Sequence, residues 1–214
     1  MPVYMRILFI LLFLTLGPGS FAQDDIPDFR TKRENFKKLL DKEIRNDLAR
    51  FTLGGLDESL GKEPLKDMPI KSCDKNSIVF ANDTMQVVIK SEAFEPAKHK
   101  MQYYEKYVIK IDNKPYYGSF GKPPKQSIAS VLIITNRDTI TLSPGVLNDL
   151  HDPSFCYTDA QTRKIKSHCG VYFSADMKSI YIYMLNNESA GGYEVTWILQ
   201  DKKYVKRVLD YEFN

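Results

Sequence analysis

Tight turns between short apolar runs are the feature that most restricts what this chain can fold into. In the C-terminal two thirds, turns of two or three residues join β-type runs at 82–83, 136–138, 176–178 and 201–203. Strands joined so closely pair antiparallel, because a parallel pair needs a crossover of a dozen residues or more. A hydrophobic content of 43% and a charged content of 27% exclude a disordered or collagen-like chain. The sequence therefore predicts an antiparallel sheet built from hairpins.

The last 45 residues carry the clearest β pattern. Four runs are separated there by two short turns and one longer loop; they are 171–174, 180–185, 193–200 and 204–210. In the third run, Val195, Trp197 and Leu199 occupy alternate positions, so one face of that strand is expected to be the more deeply buried. We predict an antiparallel meander of four strands at this end.

Two helices are also predicted. Thr31 and Glu34 fit a capping box, and apolar residues then recur at spacings of three and four up to a Gly54-Gly55 stop. These residues are Phe36, Leu39, Leu40, Ile44, Leu48 and Phe51. They predict one long N-terminal amphipathic helix over 31–52. Ser143-Pro144 predicts the start of a second, short helix that ends at Pro153. The expected fold class is α+β, an antiparallel β-sheet meander of hairpins with these two helices.

The first 22 residues are typical of an export signal. Arg6 precedes a run over 7–16 that is apolar apart from Thr15, and Ser20 and Ala22 are the small residues of a cleavage site. The run is half the length of about 20 residues that a spanning helix needs. We expect a signal peptide at 1–22, a flexible leader at 23–30 and a single domain over 31–214. That domain comprises the helix, an irregular linker at 53–72 and a β-rich part at 73–214. The mature chain is expected to be periplasmic or extracellular, without a transmembrane segment.

The closing segment 191–211 has the sequence GGYEVTWILQDKKYVKRVLDY. It resembles the C-terminal hairpin of uncharacterised exported proteins of Bacteroidota-type bacteria. The resemblance covers about a tenth of the chain. It implies a bacterial source and export, and it implies no activity.

Export changes how Cys73, Cys156 and Cys169 are interpreted. Disulfides persist outside the reducing cytoplasm, and three cysteines allow one internal bridge and leave one thiol. We favour the Cys156–Cys169 pair, because closing the short polar loop between them costs little entropy. The other two pairings, and three reduced thiols packed in the fold, are the alternatives.

Possible metal ligands and nucleophiles crowd into residues 151–169. They are His151, Asp152, Cys156, Asp159, His168 and Cys169. A small periplasmic hydrolase or metal-dependent enzyme could use this segment, with His151, Asp152 and His168 as the candidate metal ligands. Their spacing matches no zinc template, and a surface loop closed by a disulfide is the simpler interpretation. The chain also lacks a serine-hydrolase elbow and a phosphate loop, so we assign no catalytic residue and predict no cofactor.

Five tyrosines lie within 15 residues and close to Lys100, Lys106, Lys110 and Lys114. They are the candidate ligand-binding residues Tyr103, Tyr104, Tyr107, Tyr116 and Tyr117. We expect 103–111 to form one strand that turns at 112–114. Aromatic rings on such a hairpin can stack on sugars or anchor a protein partner, although tyrosine is also a common strand residue.

The favoured function is therefore an exported, non-catalytic binding domain for a protein, a glycan or a cell-envelope component. The alternative is the hydrolase or metal-dependent enzyme described above. A nucleic-acid ligand is not expected, because 30 Lys+Arg against 27 Asp+Glu give a net charge of only +3.

Overall fold

The computed structural model describes residues 39–52, 63–186 and 191–211. Within these residues, two five-stranded sheets and two small hairpins form the fold. In chain order the strands are β1 (Lys66–Asp67), β2 (Ile70–Cys73), β3 (Ser77–Ala81), β4 (Met85–Ala93), β5 (Met101–Tyr104), β6 (Tyr107–Ile111), β7 (Gln126–Thr135), β8 (Thr139–Thr141), β9 (Tyr157–Thr158), β10 (Ile165–Lys166), β11 (Cys169–Phe173), β12 (Ser179–Asn186), β13 (Tyr193–Gln200) and β14 (Lys203–Tyr211). Sheet I has the order β1-β11-β12-β13-β14, and sheet II has the order β2-β3-β4-β7-β8. All these strands pair antiparallel, and tight turns account for the hairpin pairs among them.

The main hydrophobic core contains buried side chains from both sheets. Val195, Trp197 and Leu199 of β13 contribute from sheet I, which is the alternation visible in the sequence. Ile89 of β4 and Val131 of β7 contribute from sheet II. Strands β12 and β13 are buried along almost their whole length, because the second face of sheet I is covered as well.

The prediction of a long helix over 31–52 is wrong. The one α-helix in the described part of the chain is α1 (Lys42–Leu48), and residues 31–38 lie outside that part. Asp41 has an extended backbone, and its carboxylate accepts hydrogen bonds from the amides of Glu43 and Ile44 at 2.9 and 3.1 Å. This cap starts the helix at residue 42, well inside the predicted span.

The apolar spacing that predicted the long helix has a different cause. Leu39 is buried although it precedes α1, and Leu40 is 94% exposed, so these neighbours do not extend one apolar helix face. Ile44 and Leu48 pack in one cluster with Tyr181 of sheet I. The burial of these side chains therefore comes from contact with the sheet, and it does not require a continuous helix.

The second predicted helix is a single 3₁₀ turn at Pro144–Val146. In an α-helix the Val146 carbonyl would accept a hydrogen bond from the Leu150 amide. It instead accepts from Trp197 Nε1 at 3.1 Å and from Arg207 Nη1 at 3.0 Å. The Val146 carbonyl is thus hydrogen-bonded to side chains of sheet I, and it does not accept the backbone hydrogen bond that a longer helix would need. With a single seven-residue α-helix among the described residues, the fold is mainly β, and the α+β assignment is wrong.

The disulfide joins Cys73 at the end of β2 to Cys156, with the Cα atoms 6.3 Å apart. The favoured Cys156–Cys169 pairing is therefore wrong. Cys169 begins β11 and its thiol is free and buried in the main core, while the chain between Cys156 and Cys169 forms the hairpin β9–β10. The fold brings together two residues that are 83 positions apart, and such an approach leaves no local signal in the sequence.

Strand β1 and the first three residues of β2 lie in the segment 53–72 that was expected to be an irregular linker. Strand β1 pairs with β11 of sheet I and β2 pairs with β3 of sheet II, so this segment connects the two sheets. The expected signal peptide at 1–22 and leader at 23–30 lie outside the described residues. Within the described residues, no helix has the length and apolar character needed to cross a bilayer.

Candidate functional site

The hairpin β5–β6 carries a concentration of exposed aromatic side chains. It is an excursion of the chain between β4 and β7, two strands that pair with each other in sheet II. Its turn lies at Glu105-Lys106, where Glu105 has a left-handed backbone with φ of 52°. The expected single strand over 103–111 is therefore divided into two. Tyr104 lies directly opposite Tyr107 across the hairpin, so these two rings share one face.

A small hydrophobic cluster, separate from the main core, holds the base of this hairpin. Its buried members are Phe94, Val108 and Ile111, and Met101 and Tyr116 pack against them. The cluster gives the hairpin its own support, so its outer side chains are not required to fill the space between the two sheets.

Hydrogen bonds to the Asp112 carboxylate close the same base. Asp112 Oδ2 lies 2.7 Å from His99 Nδ1, and Oδ1 accepts a hydrogen bond from the Lys100 amide at 2.8 Å. The His99 ring in turn stacks on Phe94 with centroids 4.5 Å apart. The side-chain contact with His99 is the largest cause that lowers the pKa of the Asp112 carboxyl, and the hydrogen bond from the Lys100 amide is the second.

Three of the five candidate tyrosines are exposed. Tyr103, Tyr104 and Tyr107 have exposed fractions of 54%, 67% and 44%. Lys106 Nζ lies 5.4 Å from the centroid of the Tyr107 ring, a cation–π distance. These three rings are therefore available to a ligand.

Tyr116 and Tyr117 have structural positions instead. The Tyr116 hydroxyl donates to the carbonyls of Val108 and Lys122 at 3.2 Å each. Tyr117 packs against the main core, with its ring centroid 4.9 Å from that of Tyr211. Burial raises the pKa of Tyr117 to about 12. We therefore remove these two residues from the candidate surface.

Two further exposed apolar residues, missed in the sequence, lie on β6 and on the loop that bridges to it. Ile109 is 49% exposed and Phe120 is 72% exposed. An antiparallel bridge joins Val108 to Gly121, so Ile109 and Phe120 each lie one residue from the same bridge. The signal that could have found Phe120 is its position between glycines in the loop 118–121. We call Tyr103, Tyr104, Tyr107, Ile109 and Phe120 the hairpin aromatic surface.

His151 of the alternative metal site is a buried structural residue. It is 1% exposed, and its Nδ1 lies 3.0 Å from Ser127 Oγ. The rings of Phe94 and Tyr116 approach it edge-on, with centroids at 5.3 and 5.9 Å. Burial is the main cause that lowers the pKa of His151 to about 4, so the ring is neutral at pH 7.

The other two candidate metal ligands have different neighbours. Asp152 Oδ1 accepts hydrogen bonds from the amides of Lys125 and Gln126 at 2.8 Å each, which ties this segment to the start of β7. The His168 ring stacks on Tyr157 with centroids 4.4 Å apart. Among residues 39–52, 63–186 and 191–211, no three His, Cys, Asp or Glu side chains are grouped as metal ligands would be.

The cysteines offer no activated thiol in the described part of the chain. Cys156 is bonded to Cys73, and burial raises the pKa of the Cys169 thiol to about 12. A thiol in this state is protonated at neutral pH, and the thiolate is the reactive nucleophile. His151, Asp152, Cys156 and Cys169 therefore have contacts within the fold, whereas the hairpin aromatic surface is exposed.

Comparison with known proteins gives no relative: no protein-family model, curated protein or solved structure matches this chain.

Proposed function

We propose that this protein is an exported, non-catalytic binding domain that attaches to a component of the cell envelope through the hairpin aromatic surface. The observation that carries the proposal is the exposure of Tyr104 and Phe120, at 67% and 72%, beside three further exposed apolar residues. Large exposed apolar patches are typical of interaction sites, because leaving such side chains in water has no benefit for folding. Aromatic side chains are also enriched among the residues that dominate binding energy.

The separate support of the hairpin favours the same function. Its base is held by the cluster around Phe94 and by the contacts of Asp112, so the exposed rings are presented from a fixed base. A rigid base lowers the entropy that is lost on binding, because fewer backbone conformations have to be restricted. The exposed rings can therefore contribute most of their contact energy to affinity.

The disulfide and the sequence of residues 1–22 support export as part of this proposal. Disulfides persist in oxidising compartments such as the periplasm or the extracellular space, and the Cys73–Cys156 bridge closes a long segment of chain. The apolar run over 7–16 and the small residues near residue 22 have the pattern of a cleaved signal. A component of the cell envelope is a ligand that such a protein would encounter.

A co-sedimentation assay tests the proposal. The purified mature protein is mixed with envelope fragments of the organism that produces it, and the bound fraction is measured against fragment concentration. Replacing Tyr104 and Phe120 together by serine should weaken binding at least tenfold, because two largely exposed rings lose their contacts. The matched control replaces Ile165 and Met177 by serine, since both are exposed apolar residues outside the hairpin.

Equal thermal melting of both variants and the wild type would show that folding is unaffected. Binding of the Tyr104→Ser/Phe120→Ser variant at wild-type affinity would refute the proposal. An equal loss in the Ile165→Ser/Met177→Ser control would refute the assignment to this surface.

A further inference from the structure

The chain segment that forms and surrounds the hairpin aromatic surface is strongly basic. Residues 98–125 contain seven lysines, and Glu105 and Asp112 are the only acidic residues among them, which gives a net charge of +5. The whole chain has a net charge of only +3, so the rest of it is net negative. The positive charge is therefore concentrated in the segment of the chain that contains the exposed aromatic residues.

Six of these seven lysines form no ion pair with a carboxylate of the described residues. Lys98 is the exception, with its Nζ 2.8 Å from Glu95 Oε1. In the described part of the chain, no carboxylate oxygen lies within 4 Å of the other six Nζ atoms. These six are Lys100, Lys106, Lys110, Lys114, Lys122 and Lys125. Their charge is available to an external anion.

One lysine lies directly beside the exposed rings. Lys106 is in the turn between Tyr104 and Tyr107, and its ammonium group lies over the Tyr107 ring. Tyr and Phe rings are favourable at the boundary between lipid headgroups and acyl chains, and lysine can extend its ammonium group back to the headgroups. A lysine over an exposed tyrosine ring thus matches what the surface of a bilayer requires.

We infer that the ligand of the hairpin aromatic surface is the surface of an anionic phospholipid bilayer, to which the protein binds peripherally. This inference rests on the proposed function and specifies its ligand. Polybasic segments are attracted to anionic leaflets, and each lysine near the surface contributes about a fivefold gain in affinity. Partial insertion of Phe120 and the tyrosines adds the apolar part of the interaction.

Two observations favour a bilayer over an acidic glycan. Exposed fractions of 67% and 72% for Tyr104 and Phe120 mean that both rings project into solvent, whereas a small ligand is usually held in a concave site. The surface also includes Ile109, whose branched aliphatic side chain offers no flat face for a sugar ring.

Glu105 gives the inference a sharp test, because it is an exposed carboxylate at the turn of the hairpin. Next to an anionic bilayer its charge is unfavourable. Glu105→Gln should therefore strengthen binding about fivefold, whereas Lys106→Gln/Lys110→Gln should weaken it about 25-fold. Lys71→Gln/Lys75→Gln removes the same charge from outside the hairpin and is the matched control.

The experiment measures binding of the mature protein to vesicles of phosphatidylcholine alone and of phosphatidylcholine with 30% phosphatidylglycerol. We expect binding to the anionic vesicles, little to the neutral ones, and at least a tenfold loss between 0.1 and 1 M NaCl, as the screening length falls from about 10 to about 3 Å. Phe120→Ser should weaken vesicle binding about tenfold. Polygalacturonate and polyglutamate serve as soluble competitors for the acidic glycan and the acidic protein.

The possible results separate the inference from the proposed function. Binding to envelope fragments without binding to anionic vesicles would overturn the inference and leave the proposed function standing. Binding to either soluble polymer that is tighter than binding to vesicles and insensitive to Phe120→Ser would also overturn it. Failure to bind either vesicles or envelope fragments would refute both.

Discussion

Lowering the pH from 7.5 to 5 should destabilise this protein through His151. The side chain is 1% exposed, and the surrounding contacts are the Ser127 hydroxyl and the rings of Phe94 and Tyr116. Burial lowers the pKa of His151 to about 4, although the nearby Asp152 and Asp149 carboxylates act in the opposite direction. Protonating this ring in the folded state therefore costs more than protonating it in the unfolded chain.

Proton linkage determines the sign and the size of this change in the free energy of unfolding. An unfolded histidine has a pKa near 6.5, so between about pH 6.5 and pH 4 the unfolded state binds a proton that the folded state does not. The contribution of the neutral, buried His151 to the free energy of unfolding is fully present above pH 6.5 and is lost as the pH falls toward 4. With a folded pKa of about 4, the loss attributable to His151 is about 2 kcal/mol at pH 5 and about 3 kcal/mol below pH 4.

The assay compares urea unfolding of the wild type and His151→Asn at pH 7.5, 6 and 5. The variant is expected to be less stable at pH 7.5, but its free energy of unfolding should fall by about 2 kcal/mol less than that of the wild type between pH 7.5 and 5. His168→Asn is the control, because His168 stacks on Tyr157 outside the core. Equal pH dependence in the wild type and His151→Asn would refute the reasoning.

Three further changes test other parts of the structure. Replacing Cys73 and Cys156 by alanine should lower the free energy of unfolding by about 4 to 5 kcal/mol, because the bridge spans 83 residues; urea unfolding measures this, and an unchanged midpoint would contradict it. Gly118→Ala should destabilise the fold by at least about 3 kcal/mol, because φ is 111° and the new Cβ would collide with the His151 carbonyl. Gly145→Ala is the control and should change the melting temperature little, because the nearest atom to its new Cβ, Ser143 Oγ, is 4.0 Å away. The Cys169 thiol should react with iodoacetamide only after denaturation, because its pKa is raised to about 12; labelling of the native protein within minutes would disprove its burial.

Local sequence signals predicted the strands well where the turns are short. The expected run 193–200 coincides with β13, and Val195, Trp197 and Leu199 are buried in the main core. In this part of the chain, turn chemistry and side-chain alternation are both properties of neighbouring residues, so they can be recognised without knowledge of the tertiary structure.

The features that were predicted wrongly depend on distant residues. The short helix after Ser143 is limited to one turn because Trp197 and Arg207 bind the Val146 carbonyl. The disulfide partner of Cys156 is decided by where the end of β2 lies, not by the shorter chain distance to Cys169. Neither the hydrogen bonds to Val146 nor the Cys73–Cys156 bridge can be recognised from neighbouring residues. Rules based on neighbouring residues therefore predicted a longer helix and the wrong disulfide.

The candidate surface was predicted in part for the same reason. The tyrosine cluster includes exposed side chains, but clustering alone does not distinguish Tyr104, which is exposed, from Tyr117, which packs against the core. Phe120 and Ile109 join the exposed rings because of the bridge between Val108 and Gly121, which connects two segments of the chain. Knowing which side chains share a surface requires the pairing of strands.

The position of the hairpin explains how one small chain can combine a stable fold with an exposed apolar surface. Strands β4 and β7 pair directly, so the excursion between them adds its own cluster of Phe94, Val108 and Ile111 without interrupting sheet II. The exposed rings of this excursion contribute little to the main core, and substitutions there can alter binding while the two sheets keep their packing. A basic, aromatic hairpin on an independent base is therefore a part of the molecule where ligand affinity can change with little effect on the free energy of folding.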